Sequence, residues 1–527
     1  MKYNITHKNI VDFRKSFKKK RTNKVFKNIN TKVNFNKLVI DSDVVQRDNK
    51  EFTNKIDIKS NITNQENSGR CWIFAILNII RLDMIREYNL PNFEFSENFI
   101  YFYDRLEKTN FFLNYIANNY NKNINDIKLI HILESKTSDG NQWIMFRNLI
   151  TKYGIIPKNA MADMFHSKNT NDLNNFFNNY LIKASVKIIT ALKKNNSQKN
   201  KEHLITSTLN EFYNILVIFL GEPPKQFNWQ YSTKKIKSKN KNKKKNNKKN
   251  NNKNNNKNKI EVEISEEGEN EEGEKKNRKH KKGGDGDNVP DDDKNDDEED
   301  DDDDDDDDEP DAMYKTNEYV VSHPDLTPLT FFHKFVKYNV DSKICLINYP
   351  CKNIKYYKKY HIELTPNVIG GKQQELINVP QVVMFNAIKK AIDDNQAVFC
   401  GVDWDKFNTK EYSLLDTKAF NYDDIFGDNI IMDKCNGLQY RQSSQTHAVI
   451  IRGYNMIKGE IDKFLIENSH GNNNNFNGKY SMSVDWFNKY LYQIVIDEKY
   501  LDKKVVDVEK TKSIMIPFNS PFGSLMS

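Results

Sequence analysis

Asn64-Gln65-Glu66-Asn67-Ser68-Gly69-Arg70-Cys71-Trp72-Ile73-Phe74-Ala75 is the stretch on which the reading of the fold turns. From Cys71 to Arg86 apolar residues recur at helical spacing (Trp72, Ala75, Ile76, Ile79, Ile80, Met84), with Ser68-Gly69 just ahead of them. The spacing predicts a buried helix that carries Cys71 near its N-terminus. A cysteine there faces the positive end of the helix dipole, which favours thiolate over thiol. Gln65 can set its side-chain amide beside the backbone N–H of Cys71, giving two donors for a tetrahedral oxyanion. Gly69 leaves room for a substrate backbone to pass close to the turn. A free cysteine is more often a small buried hydrophobe than a nucleophile, so this segment needs partners elsewhere in the chain.

A nucleophilic thiolate requires a group that takes its proton and returns it to the leaving amine, and a third group that orients the second. Thr446-His447-Ala448-Val449 opens one β-rich run, and Lys463-Phe464-Leu465-Ile466-Glu467-Asn468-Ser469 forms another. His447 and Asn468 are 21 residues apart, a spacing that suits two strands joined by a hairpin, whose first and last residues then lie side by side. Other strands are expected at Lys343–Asn348, Ala397–Val402 and Leu491–Asp497, and further helices at Asn98–Leu106, Gln142–Tyr153 and Gln381–Asp394. A helical first half and a sheet-rich second half predict an α+β architecture.

The Cys71 segment resembles the active-site segment of papain-like cysteine peptidases, Q-x-x-x-x-G-x-C-W, and more closely the N-Q-x-N-S-G-R-C-W of the bleomycin hydrolase (aminopeptidase C) family. Thr446-His447-Ala448 and Glu467-Asn468-Ser469 resemble the histidine and asparagine motifs of that family, in the expected order. Asp139-Gly140-Asn141-Gln142-Trp143, Tyr153-Gly154-Ile155-Ile156-Pro157 and Ser520-Pro521-Phe522-Gly523 extend the resemblance over nearly the whole chain outside one insertion. It implies a papain-like two-domain fold in which Cys71 is the nucleophile, His447 the base and acid, Asn468 the residue that orients it, and Gln65 the oxyanion donor. Gly69, Gly140 and Asn141 are the implied substrate-binding positions of the cleft. Met526 and Ser527 are implied to meet the free amine of the substrate from the chain's own tail. Two positions depart from the family pattern: Asn141 stands where it has Gly, and His470 where it has Trp.

The insertion is a change of composition. Residues 234–311 run from Lys and Asn to Glu and Gly and then to an unbroken acidic stretch ending at Glu309. Such a segment cannot bury enough apolar surface to offset its chain entropy and is expected to be a disordered insertion. It separates an N-terminal arm and helical half, 1–233, from a sheet-rich half, 312–527. The insertion holds 20 Lys and Arg against 28 Asp and Glu, which leaves 61 against 45 elsewhere, a body of net charge +16.

Cys71, Cys345, Cys351, Cys400 and Cys435 are odd in number and lack metal-ligand spacing, which argues against a disulfide framework and points to a reducing compartment, the cytosol. No apolar leader or membrane-spanning run is visible, and no cofactor or metal is expected. The resemblance implies an aminopeptidase acting on peptide substrates, assembled as a homohexamer, with nucleic-acid binding left open by the positive body. The rival readings are a catalytically impaired paralogue serving as a nucleic-acid or partner-binding scaffold, and a cysteine endopeptidase.

Overall fold

A computed structural model describes residues 4–135, 138–234, 318–427 and 430–525. The charged insertion lies outside the described residues except for Lys234, as do Met526 and Ser527. The chain divides into two compact units, one made of Met1–Trp229 with His323–Ser527, the other of Gln230–Ser322. In the second, the described residues are strand ends, where Gln230 Nε2 donates to Ser322 Oγ at 3.1 Å.

The first unit is α+β. Its helical part is built around Cys71–Tyr88, apolar on every face and therefore buried along almost its whole length. This helix stops at Asn89, which adopts the left-handed conformation that asparagine tolerates. Glu97–Asn118 begins at Ser96, whose hydroxyl accepts the Phe99 N–H at 3.1 Å. Trp143–Tyr153 ends at Gly154, φ +79°, where a Cβ would run into the backbone of Pro328. Two longer helices, Thr170–Lys194 and Gln198–Leu220, pack against Glu97–Asn118.

Among the described residues the sheet has twelve strands. Its centre runs Lys343–Ile347, Leu491–Asp497, Val398–Val402, His447–Ile457, Glu460–Glu467, with every neighbouring pair antiparallel. Leu491–Asp497 is buried from Leu491 to Ile496. The helix Gln381–Asp393 covers one face with Met384, Ala387, Ile388, Ala391 and Ile392. The Cys71 helix packs against the His447 strand, so the two residues are joined by core packing rather than by loops.

The structure corrects the cysteine reading. Cys351 and Cys435 form a disulfide, their Cα atoms 5.2 Å apart across 84 residues of sequence, a proximity made by the fold that no local spacing encodes. Cys345 and Cys400 are free and buried. The strand that opens at His447 continues to Ile457, where Tyr454 is buried and the strand's far end pairs with Glu460–Glu467. Among the described residues no helix is long and apolar enough to cross a membrane.

Candidate active site

The loop ahead of Cys71 is held by buried charge. Arg70, fully buried, pairs with Asp163 at 2.6 Å, and its Nε donates to Ser68 Oγ at 3.1 Å. Burial alone would raise the Asp163 carboxyl, but the charges of Arg70 and Lys158 outweigh it and hold the group down at about 2. Gly69 N–H donates to Asp139 Oδ2 at 3.2 Å, and a Cβ on Gly69 would meet the Asp139 Cβ at 2.5 Å. The glycine is thus required by the approach of Asp139, and Gly69 is not part of the cavity wall. This packing reason stands beside the expectation that Gly69 makes room for substrate.

Cys71 is the first residue of its helix, where backbone N–H groups lack intrahelical acceptors. Gln65 Nε2 donates to Ser68 O at 2.6 Å, and Gln65 Oε1 accepts from Ser469 Oγ at 2.6 Å. The Gln65 N–H also donates to Ser469 O at 2.8 Å. One amide hydrogen of Gln65 is therefore committed and a second remains, on a side chain tied to the residue after Asn468.

His447 opens its strand in register with Val402, and Asn468 follows directly on the end of the neighbouring strand. His447 Nε2 and Asn468 Oδ1 are 2.8 Å apart, and Asn468 Oδ1 also accepts the Ser469 N–H at 2.8 Å. An acceptor at Nε2 assigns the hydrogen to that nitrogen and leaves Nδ1 free to take a proton. Two further rings adjoin the imidazole. His470 lies nearly parallel to it, centroids 5.7 Å apart, and Trp404 is inclined by 50° at 5.1 Å.

Cys71 and His447 both line a cavity of about 590 Å³, together with Trp72, Gly140, Asn141, Gln142, Gln445 and Ala448. Gly523, from the short helix Pro521–Leu525, closes part of the same wall. Neither Gly140 nor Asn141 sits at positive φ, so asparagine carries no backbone strain where the family pattern has glycine. The Asn141 amide instead donates to Asp104 Oδ1 at 3.0 Å.

Burial pushes the Cys71 thiol up to about 11, against backbone N–H bonds from Ala448 and Trp72 that favour the thiolate. It pulls His447 down to about 4, against the Asn468 bond that favours the charged ring. Burial thus opposes charging either group alone. Moving the proton from sulfur to imidazole creates opposite charges together, and the helix dipole and Asn468 then favour the product.

Sequence reasoning assigned no role to the network behind this wall. Asp139 accepts from Tyr101 at 2.8 Å and from Thr170, and its carbonyl accepts the Trp72 indole N–H at 2.9 Å. Buried Lys108 holds the carbonyls of Ser138 at 2.7 Å and Gly140 at 2.9 Å while paired with Asp104 at 2.9 Å. The available signal was Asp104 and Lys108 at i, i+4 on the buried side of an apolar helix.

The family described as the Peptidase C1-like family matches residues 4–266 and 311–523. Aminopeptidase C of Lactobacillus delbrueckii subsp. lactis is 28% identical over 478 residues, covering 90% of this chain and 88% of the relative. Bleomycin hydrolase of Homo sapiens is 26% identical over 472 residues, covering 88% and 86%. The crystal structure of PepW from Lactobacillus rhamnosis HN001 superposes with a TM-score of 0.80 at 25% identity, covering 99% of both chains.

Proposed function

The chain belongs to the Peptidase C1-like family, and from that premise we propose that it is a cysteine aminopeptidase that removes residues from the free N-termini of peptides. The observation that carries the reading is the convergence, in one cavity, of a helix-start cysteine and a histidine whose far nitrogen is bonded to Asn468. In this reaction Cys71 Sγ gives its proton to His447 and the thiolate attacks the scissile carbonyl carbon. The oxyanion takes hydrogen bonds from the Cys71 N–H and the second amide hydrogen of Gln65. His447 returns the proton to the leaving amine, and water then cleaves the thioester with the same ring as base.

Specificity for a free amine is assigned to the tail. Phe522 is 1% exposed, edge-on to Tyr349 at 5.0 Å, and this anchor directs Gly523 into the cavity wall. The residues after Gly523, Met526 and Ser527 among them, are proposed to meet the substrate amine, while Gly140 and Asn141 present their backbone to the substrate. A hexameric assembly and nucleic-acid binding by the positive body remain proposals of the same reading, tested by sedimentation and by salt-dependent retention on DNA. Cytosolic residence rests on the free cysteines, and the Cys351–Cys435 disulfide is the observation against it. Thiol labelling before and after cell lysis decides that point.

Cys71→Ala and His447→Ala are each expected to lower kcat by at least about 10³-fold with folding intact. Truncation after Ser520 is expected to leave the thiol reactive but to admit N-blocked peptides. Full turnover by Cys71→Ala overturns the peptidase assignment, and unchanged discrimination against blocked peptides overturns the aminopeptidase one.

A further inference from the structure

We propose that Trp404 is a positioning residue for His447: its indole fixes the imidazole plane and stabilises the ring once it is protonated. The proposal rests on the cysteine-peptidase reading of Cys71 and His447. Trp404 lies two residues past Val402, the register partner of His447 across the sheet. Its backbone N–H donates to Thr446 Oγ1 at 3.0 Å, and the Thr446 N–H donates to Val402 O at 2.9 Å. The indole is 7% exposed and is fixed edge-on against Tyr480, centroids 4.8 Å apart. Its position beside His447 is thus set by the backbone on one side and by a packed ring on the other.

An indole π-face within about 6 Å of a cation stabilises it by ~0.5–2 kcal/mol, more when water is excluded. The Trp404–His447 separation of 5.1 Å falls inside that range. The groups that act on His447 are Cys71, which shares its cavity, Asn468, which accepts its N–H, His470, stacked beside it, and Asp405 and Lys410, whose charges oppose each other there. Of the two adjoining rings, His470 becomes a repelling cation when it takes a proton. Trp404 cannot, so it favours the imidazolium at every pH. The residue also belongs to the apolar core beneath the sheet, and a purely structural role would stabilise the fold without moving any proton equilibrium.

The experiment uses the full chain with Trp404→Phe and Trp404→Val. The ultraviolet absorbance of the Cys71 thiolate, taken as the difference from Cys71→Ala in each background, is followed against pH without substrate. The pH dependence of kcat/KM on a free-amine peptide is measured alongside. Loss of the π-face is expected to lower the thiolate fraction near neutral pH by about 3- to 30-fold in Trp404→Val. The upper pH limb of kcat/KM is expected to fall by about 0.5 to 1.5 units, with Trp404→Phe between Val and wild type. Superposed curves for all three proteins overturn the proposal, whatever happens to their melting temperatures. If Trp404→Val does not fold, Trp404→Phe decides by the same comparison. A wild-type protein with no thiolate absorbance below pH 8 also overturns it. Because the absorbance needs no substrate, a chain inert on peptides that still shows the Phe and Val ordering sinks the aminopeptidase reading alone.

Discussion

At His470 a single side chain sets a pH limit. Burial holds its imidazole below the ordinary histidine value, and its ring stacks beside His447. As pH falls and His470 takes its proton, a like charge arises next to the His447 imidazolium and disfavours it. His470→Trp removes that charge and better excludes water, so the acid limb of the pH–rate profile is expected to move down by roughly half a unit. Turnover near neutrality is expected to stay the same or rise, and superposed profiles for the two proteins refute the argument. Cys71, His447, Asn468 and Gln65 were legible because each lies in a short motif. Asp139, Lys108 and Trp404 were not: they act through backbone carbonyls, a glycine N–H and a ring face, contacts for which the sequence has no spacing rule.

Between elements, the strands that present His447 and Asn468 are pinned by a buried charge pair. Arg452 is hydrogen-bonded to Glu467 and donates to the carbonyls of Ile56 and Ile58, each at 3.0 Å. Glu467 immediately precedes Asn468 and lies opposite Ile450, so the pair fixes the register on which the His447–Asn468 bond depends. Glu467→Ala leaves an uncompensated buried guanidinium and is expected to cost about 3–5 kcal/mol in denaturant unfolding. Arg452→Met with Glu467→Leu is expected to cost far less, and equal losses for the two proteins contradict the buried-charge account. The strands and the Cys71 helix were visible because their apolar patterns are dense. Thr170–Lys194 and Gln198–Leu220 were not assigned, since exposed apolar residues such as Phe176, Val186 and Ile218 blur the buried stripes Leu173, Phe177, Leu181 and Thr208, Phe212, Leu216, Leu220.

For the molecule as a whole, the family match skips residues 267–310, and the flanking segments 4–266 and 311–523 account for fold and site alike. Deleting 234–311 and joining the ends with a short Gly/Ser linker is expected to leave peptidase activity within about twofold and the melting temperature nearly unchanged. An inactive or aggregated product would make the insertion part of the working structure. The Cys351–Cys435 bond was hidden from the sequence because its partners meet only in the finished fold. The sheet order has a further consequence for the timing of synthesis. Leu491–Asp497 follows both Lys343–Ile347 and Val398–Val402 in sequence, yet it sits between them mid-sheet. A ribosome that has already released the Cys71 helix has still to deliver that strand, so Lys343–Ile347 and Val398–Val402 each keep an unpaired edge until it is made. Nascent chains and products of a stop codon ahead of Leu491 therefore carry two open strand edges at the middle of the sheet, templates for pairing with other chains.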